Sequence, residues 1–65
     1  SPVENIYGDK TRVPEIRGFS MRKAMRVLRS SDLDFKIQGT GKVSWQSPRP
    51  GTIVEKETIC VIGLE

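Results

Sequence analysis

The chain has 65 residues and a formal net charge of +3, a length that suits one small domain with a thin core in which each buried apolar residue matters. A single cysteine and no histidine exclude an internal disulfide framework and remove the usual carriers of a zinc site or of a pH switch near neutrality, and no apolar run approaches the roughly 18 residues of a membrane span. The charge is uneven, with six basic and two acidic side chains between residues 20 and 42, so the middle third favours an anionic partner: a polymer, a membrane surface or nucleic acid.

Residues 1–11 have no hydrophobic period and read as a linker or N-terminal arm ahead of a single domain over 12–65. The opening Ser1-Pro2-Val3 lacks an initiator methionine, which favours a piece of a larger protein. Val13-Pro14-Glu15-Ile16 is extended, because the residue before a proline avoids the helical region. Val13 and Ile16 are its anchors to the core, and Arg17-Gly18 is a turn.

A helix is predicted over Ser20 to Ser31. The Ser20 hydroxyl is the N-cap acceptor, and Met21, Ala24, Met25 and Leu28 fall at i, i+3, i+4 and i+7 on one apolar face. Arg22, Arg26 and Arg29 lie on the opposite face with Lys23 beside them. Arg22 and Lys23 stand in the first turn, where the helix dipole disfavours cations by a few tenths of a kcal/mol each. Asp32 is the nearest left-handed stop.

Leu33 to Gln38 alternates as a half-buried strand, with Leu33, Phe35 and Ile37 inward. Gly39-Thr40-Gly41 reads as a hairpin loop leading into a returning strand, Lys42 to Ser47, with Val43 and Trp45 on one face. Pro48-Arg49-Pro50-Gly51 ends that strand, since proline cannot donate to a ladder. Ile53-Val54 is a short extended piece, Glu55-Lys56-Glu57 a polar turn, and Thr58 to Leu64 a last strand apolar on both faces. The expected class is α+β: one α-helix packed on a small three-stranded antiparallel β-sheet.

No catalytic constellation is present, and no metal or cofactor is expected. Cys60 lies in an apolar run with no histidine to activate it and reads as a small core residue. Asp32 with Asp34, and Glu55 with Glu57, border turns and read as solvated acids. Trp45 shares a face with Val43 and so reads as core or as a contact for the arm. The competing reading is an indole at the sheet rim that stacks on a sugar ring or a partner. The arginine face is either an ordinary solvated helix surface or an anion site.

Taken in order, these residues resemble a PASTA domain, the module found outside the membrane on high-molecular-weight penicillin-binding proteins and on bacterial Ser/Thr kinases. The resemblance covers about residues 12–64. It rests on Val13, Pro14, Glu15, Ile16 and Gly18, on helix positions Ala24 and Leu28, and on Val43, Gln46, Pro48, Pro50 and Gly51. It implies that Gln46 and the prolines after it form an architectural turn, and that Cys60, Ile62 and Leu64 face the helix while Ile59 and Val61 lie on the other side. Three departures stand out: Arg22 and Lys23 replace the acidic residues frequent in the first helical turn, and Asp32 and Glu57 stand where glycine is usual.

By this resemblance the chain is expected to be a non-catalytic, extracytoplasmic module, with peptidoglycan fragments (sugar and stem peptide) or the wall-synthesis machinery as partners. The latter covers the catalytic domain of the same chain and division or sporulation partners. The expected parent is a membrane-anchored penicillin-binding transpeptidase rather than a kinase, because one copy ends at Glu65 where kinases carry several in tandem. Charge and exposure select Arg22, Arg26, Arg29, Trp45 and Arg49 as candidate ligand-binding residues. A small basic nucleic-acid-binding adaptor is the alternative from another class. Few aromatics, no recognised motif and a small net charge oppose it.

Overall fold

A computed structural model describes residues 9–65. Its elements are β1 (Lys10–Arg12), α1 (Met21–Ser30), β2 (Asp34–Gly39), β3 (Val43–Ser47), β4 (Ile53–Glu55) and β5 (Ile59–Leu64). The class is the expected α+β, with one helix on small sheets. Of the expected arm, residues 1–8 lie outside the described residues, and Lys10 and Thr11 belong to β1, which pairs antiparallel with β4 (Lys10 opposite Glu55, Arg12 opposite Ile53).

The three-stranded sheet corrects one expectation. Its order is β2-β5-β3, so β5 is central, parallel to β2 and antiparallel to β3. The sheet is mixed rather than antiparallel, and residues 39–41 do not close a hairpin between paired strands. Two local facts explain this. β5 is a nearly unbroken apolar run, the sequence pattern of a strand within a parallel sheet rather than of one arm of an amphipathic hairpin. The glycines of the loop serve a close crossing: a Cβ on Gly39 would strike the Leu64 carbonyl, and one on Gly41 the Glu65 carbonyl. The loop therefore passes over the end of β5, where Lys42 and Glu65 exchange two backbone hydrogen bonds of 2.9 Å.

The helix starts and stops by side-chain and backbone chemistry. Ser20 Oγ accepts from Lys23 N–H at 3.2 Å, as expected of the N-cap. At the other end, Leu33 N–H donates to Leu28 C=O (2.9 Å) and Asp32 N–H to Arg29 C=O (3.0 Å). This pair of bonds is a Schellman motif, with Leu33 and Leu28 as its hydrophobic contact. Asp32 sits at φ 59° and Glu57 at φ 68°, so both positions where glycine is usual in the family are left-handed. Lys56 Nζ lies 3.8 Å from an Asp32 carboxylate oxygen, and Glu57 N–H donates to Asp32 C=O at 2.7 Å.

The core is one cluster: Val13, Ile16, Ala24, Leu28, Leu33, Val43, Cys60, Ile62 and Leu64. The anchors Val13 and Ile16 and the inward set Cys60, Ile62 and Leu64 are buried as expected. Phe35 and Ile37 pair with Cys60 and Ile62 and pack against the cluster. Met21 departs from its predicted face: it is exposed, because only Ala24 and Leu28 of the apolar ladder point squarely at the sheet. Burial pushes the Cys60 thiol above its usual pKa, which keeps it neutral and unreactive.

Candidate functional site

The site begins with one extra residue. Val43 pairs with Leu64 and Trp45 with Gly63, so two steps along β3 match one step along β5, and the register shifts at Ser44. Such a bulge reverses the alternation of side chains beyond it. Val43 points into the core. Trp45, expected on the same face as Val43, points to the opposite face over Gly63 instead. Gln46 pairs with buried Ile62 and points inward.

That reversal sets two adjacent residues to different tasks. The Gln46 amide reaches the extended segment 14–16: its Nε2 donates to Pro14 C=O at 2.8 Å, and its Oε1 accepts from Ile16 N–H at 3.0 Å. It thus acts as a piece of ladder for a segment that has no strand partner there, which is the structural role expected of it. Gly18 N–H donates to Val43 C=O and Val43 N–H to Phe19 C=O, so the same segment continues along β3. Gly51 N–H and Val13 C=O (2.7 Å) tie the Pro48–Gly51 turn to its start.

The Trp45 indole lies flat across Gly63. A Cβ at that position would run into the indole Nε1, Cε2 and Cδ1, so the glycine makes the seat. Trp45 remains 43% exposed. With Arg17, Ser44, Gln46, Arg49 and Pro50 it lines an open cleft of about 450 Å³. Arg49 arrives on the Pro48–Gly51 turn. Arg17 arrives from the extended segment, its Nε donating to Glu15 Oε1 at 2.8 Å, and that carboxylate raises the guanidinium pKa further.

The five candidate residues do not form one site. Trp45 and Arg49 share the cleft just described. Arg22, Arg26 and Arg29 line a separate shallow depression on α1 with Met25 and Ser30. Arg17, not among the sequence candidates, joins the cleft because the extended segment runs along β3. Among the described residues there is no cluster of His, Cys, Asp or Glu that could hold a metal, and no helix long and apolar enough to cross a membrane.

The described residues combine a minimal core, a locked turn and open cationic surfaces. A family model for the PASTA domain matches residues 11–62, and the chain belongs to that family. Its domains are non-catalytic binding modules, found typically outside the cell in membrane-anchored proteins, with peptidoglycan fragments as their general ligands. No curated protein sequence matches the chain significantly.

Proposed function

We propose that this chain is an extracytoplasmic binding module of a peptidoglycan-synthesis protein, and that the cleft of Arg17, Trp45 and Arg49 is where it takes peptidoglycan fragments. The observation that carries the reading is an exposed indole, seated on Gly63, in one cleft with two guanidinium groups. A sugar presents an apolar ring face that stacks on an indole. A stem peptide presents carboxylates that pair with arginine. The cleft offers both partners side by side.

The parent we propose is a penicillin-binding transpeptidase anchored in the cell membrane. A receptor-type Ser/Thr kinase is the other parent class that the family accommodates. The same cleft can dock on the catalytic domain of the parent or on a division or sporulation partner.

A two-dimensional amide NMR titration with a soluble disaccharide-peptide tests the reading. Saturable shifts are expected at Arg17, Ser44, the Trp45 indole and Arg49, and they should be lost in Trp45→Ala. An unchanged spectrum at millimolar ligand would sink muropeptide binding by this copy and leave docking as the account of the cleft.

A further inference from the structure

We propose that the outward ridge of α1 is a second binding surface, separate from the cleft, that takes a linear phosphodiester chain through its phosphates alone. Arg22, Met25, Arg26 and Arg29 fall at i, i+3, i+4 and i+7, so the three guanidinium groups stand in a single row. Neighbours in such a row are about 5–6 Å apart at Cβ, and the row is about 10 Å long at 1.5 Å per residue. Half-buried Met25 forms its floor.

Among the described residues the row has no ion-pair partner. Among the described residues the ion pairs are Lys10–Glu55, Arg17–Glu15 and Lys56–Asp32, and none involves the helix arginines. Residues Met21–Ser30 include no acid. Arg22 and Arg26 repel at i,i+4, and Arg22 stands in a first turn where the dipole disfavours it. A solvated face gains nothing from this arrangement, whereas an anionic strand laid along the row removes the repulsion. The row is also all arginine, the side chain that grips phosphate through two parallel hydrogen bonds. The one lysine nearby, Lys23, is turned onto the Phe19 ring at 4.3 Å.

The surroundings select the kind of anion. At the C-terminal end of the helix, Arg29 borders a depression that also holds Asp32, Asp34, Glu57 and Lys56, the last paired with Asp32, so that acids outnumber bases there three to two. A flat anionic membrane brought against Arg29 would meet those carboxylates, while a single strand can follow the ridge and leave before them. The two aromatic rings beside the ridge are already engaged: Phe19 lies under Lys23, and the Phe35 ring has the Arg29 guanidinium 5.5 Å from its centroid. Affinity on this ridge follows phosphate number rather than base identity.

The test is binding of the 65-residue chain to three labelled probes of matched length: a thymidine oligonucleotide, an abasic deoxyribose-phosphate chain and a poly(glycerol phosphate). All three are expected to bind with similar affinity, weakening roughly twenty-fold between about 50 and 200 mM salt for three neutralised phosphates. Replacing Arg22, Arg26 and Arg29 together by glutamine should cost about tenfold or more with the amide spectrum of the fold retained. Replacing Arg12, Lys36 and Lys42 by glutamine removes the same charge elsewhere and should leave most of the affinity. The proposal is overturned by equal losses in the two triple variants, by a strong preference for the base-bearing probe, by equal binding of poly-L-glutamate or anionic phosphatidylglycerol vesicles, or by no binding at low salt.

Discussion

The two faces of the central strand β5 have almost the same hydrophobicity in sequence and opposite fates in the fold. On the inner face Cys60, Ile62 and Leu64 are closed over by α1 and the 13–16 segment. On the outer face Ile59 is exposed, Val61 half-buried, and Gly63 serves as the seat of an exposed tryptophan. A domain this small has apolar surface enough to close one side of its sheet only. The side left open is where a ligand can find an aromatic platform. The lesson is that an apolar residue in a small domain is assigned by what is available to cover it.

The contrast is sharpest as a pair of truncations. Ile62→Ala removes a fully buried side chain and should cost about 2–5 kcal/mol in urea unfolding, enough to unfold much of a marginal domain. Ile59→Ala on the same strand should stay within about 0.5 kcal/mol. Similar losses would mean that the outer face is packed as tightly as the inner one.

The next largest effect is expected at the locked residue beside the open one. Gln46→Ala leaves the Pro14 carbonyl and the Ile16 N–H without their partner and should cost about 2 kcal/mol, with hydrogen exchange rising at Ile16. Gly63→Ala probes the platform directly. The new methyl and the indole cannot share the space, so a loss of about 1–3 kcal/mol should come with a shift in Trp45 emission and loss of ligand response in the cleft. Retention of both would refute the seat.

Two smaller effects run along the strand ends. Glu57→Gly relieves a left-handed residue and should raise stability by about 1 kcal/mol, visible as a higher Tm. Asp32→Gly should gain less, because aspartate tolerates this conformation better and the Lys56 contact is lost. The smallest effect is a pH slope. Burial raises the Cys60 pKa in the folded state, so above the ordinary thiol range near about 8.5 the unfolded chain releases a proton that the folded chain keeps. Stability contributed by the neutral thiol is thus full below that pH and declines as pH rises, and Cys60→Ala should lack this component of the slope.

Local chemistry made much of the fold legible. The Ser20 cap, the buried Ala24–Leu28 pair, the left-handed Asp32 and Glu57, and the inward Cys60, Ile62 and Leu64 each follow from a few neighbouring residues or from the family pattern they carry. Strand pairing was less legible. Two alternating segments joined by Gly39-Thr40-Gly41 look like a hairpin until β5 is placed between them, because the glycines that suit a tight turn also suit a close crossing. The candidate site was legible in residue type but not in grouping. Trp45 was read inward because alternation was counted through Ser44, and a bulge exists only relative to the partner strand it fails to match. Arg17 was passed over because nothing in the order of the chain brings residue 17 beside residues 45 and 49.

By itself the sequence determined the family, the helix with its caps, the inward Cys60, Ile62 and Leu64 and a structural rather than catalytic Gln46, the helix features from interactions within a turn and the rest from the family motif that the residues carry. Tertiary structure alone decided the mixed sheet, the outward Trp45 on Gly63, the joining of Arg17 and Arg49 to it, and the separation of the helix arginines from that cleft. These depend on register and crossing, which are properties of two segments brought together.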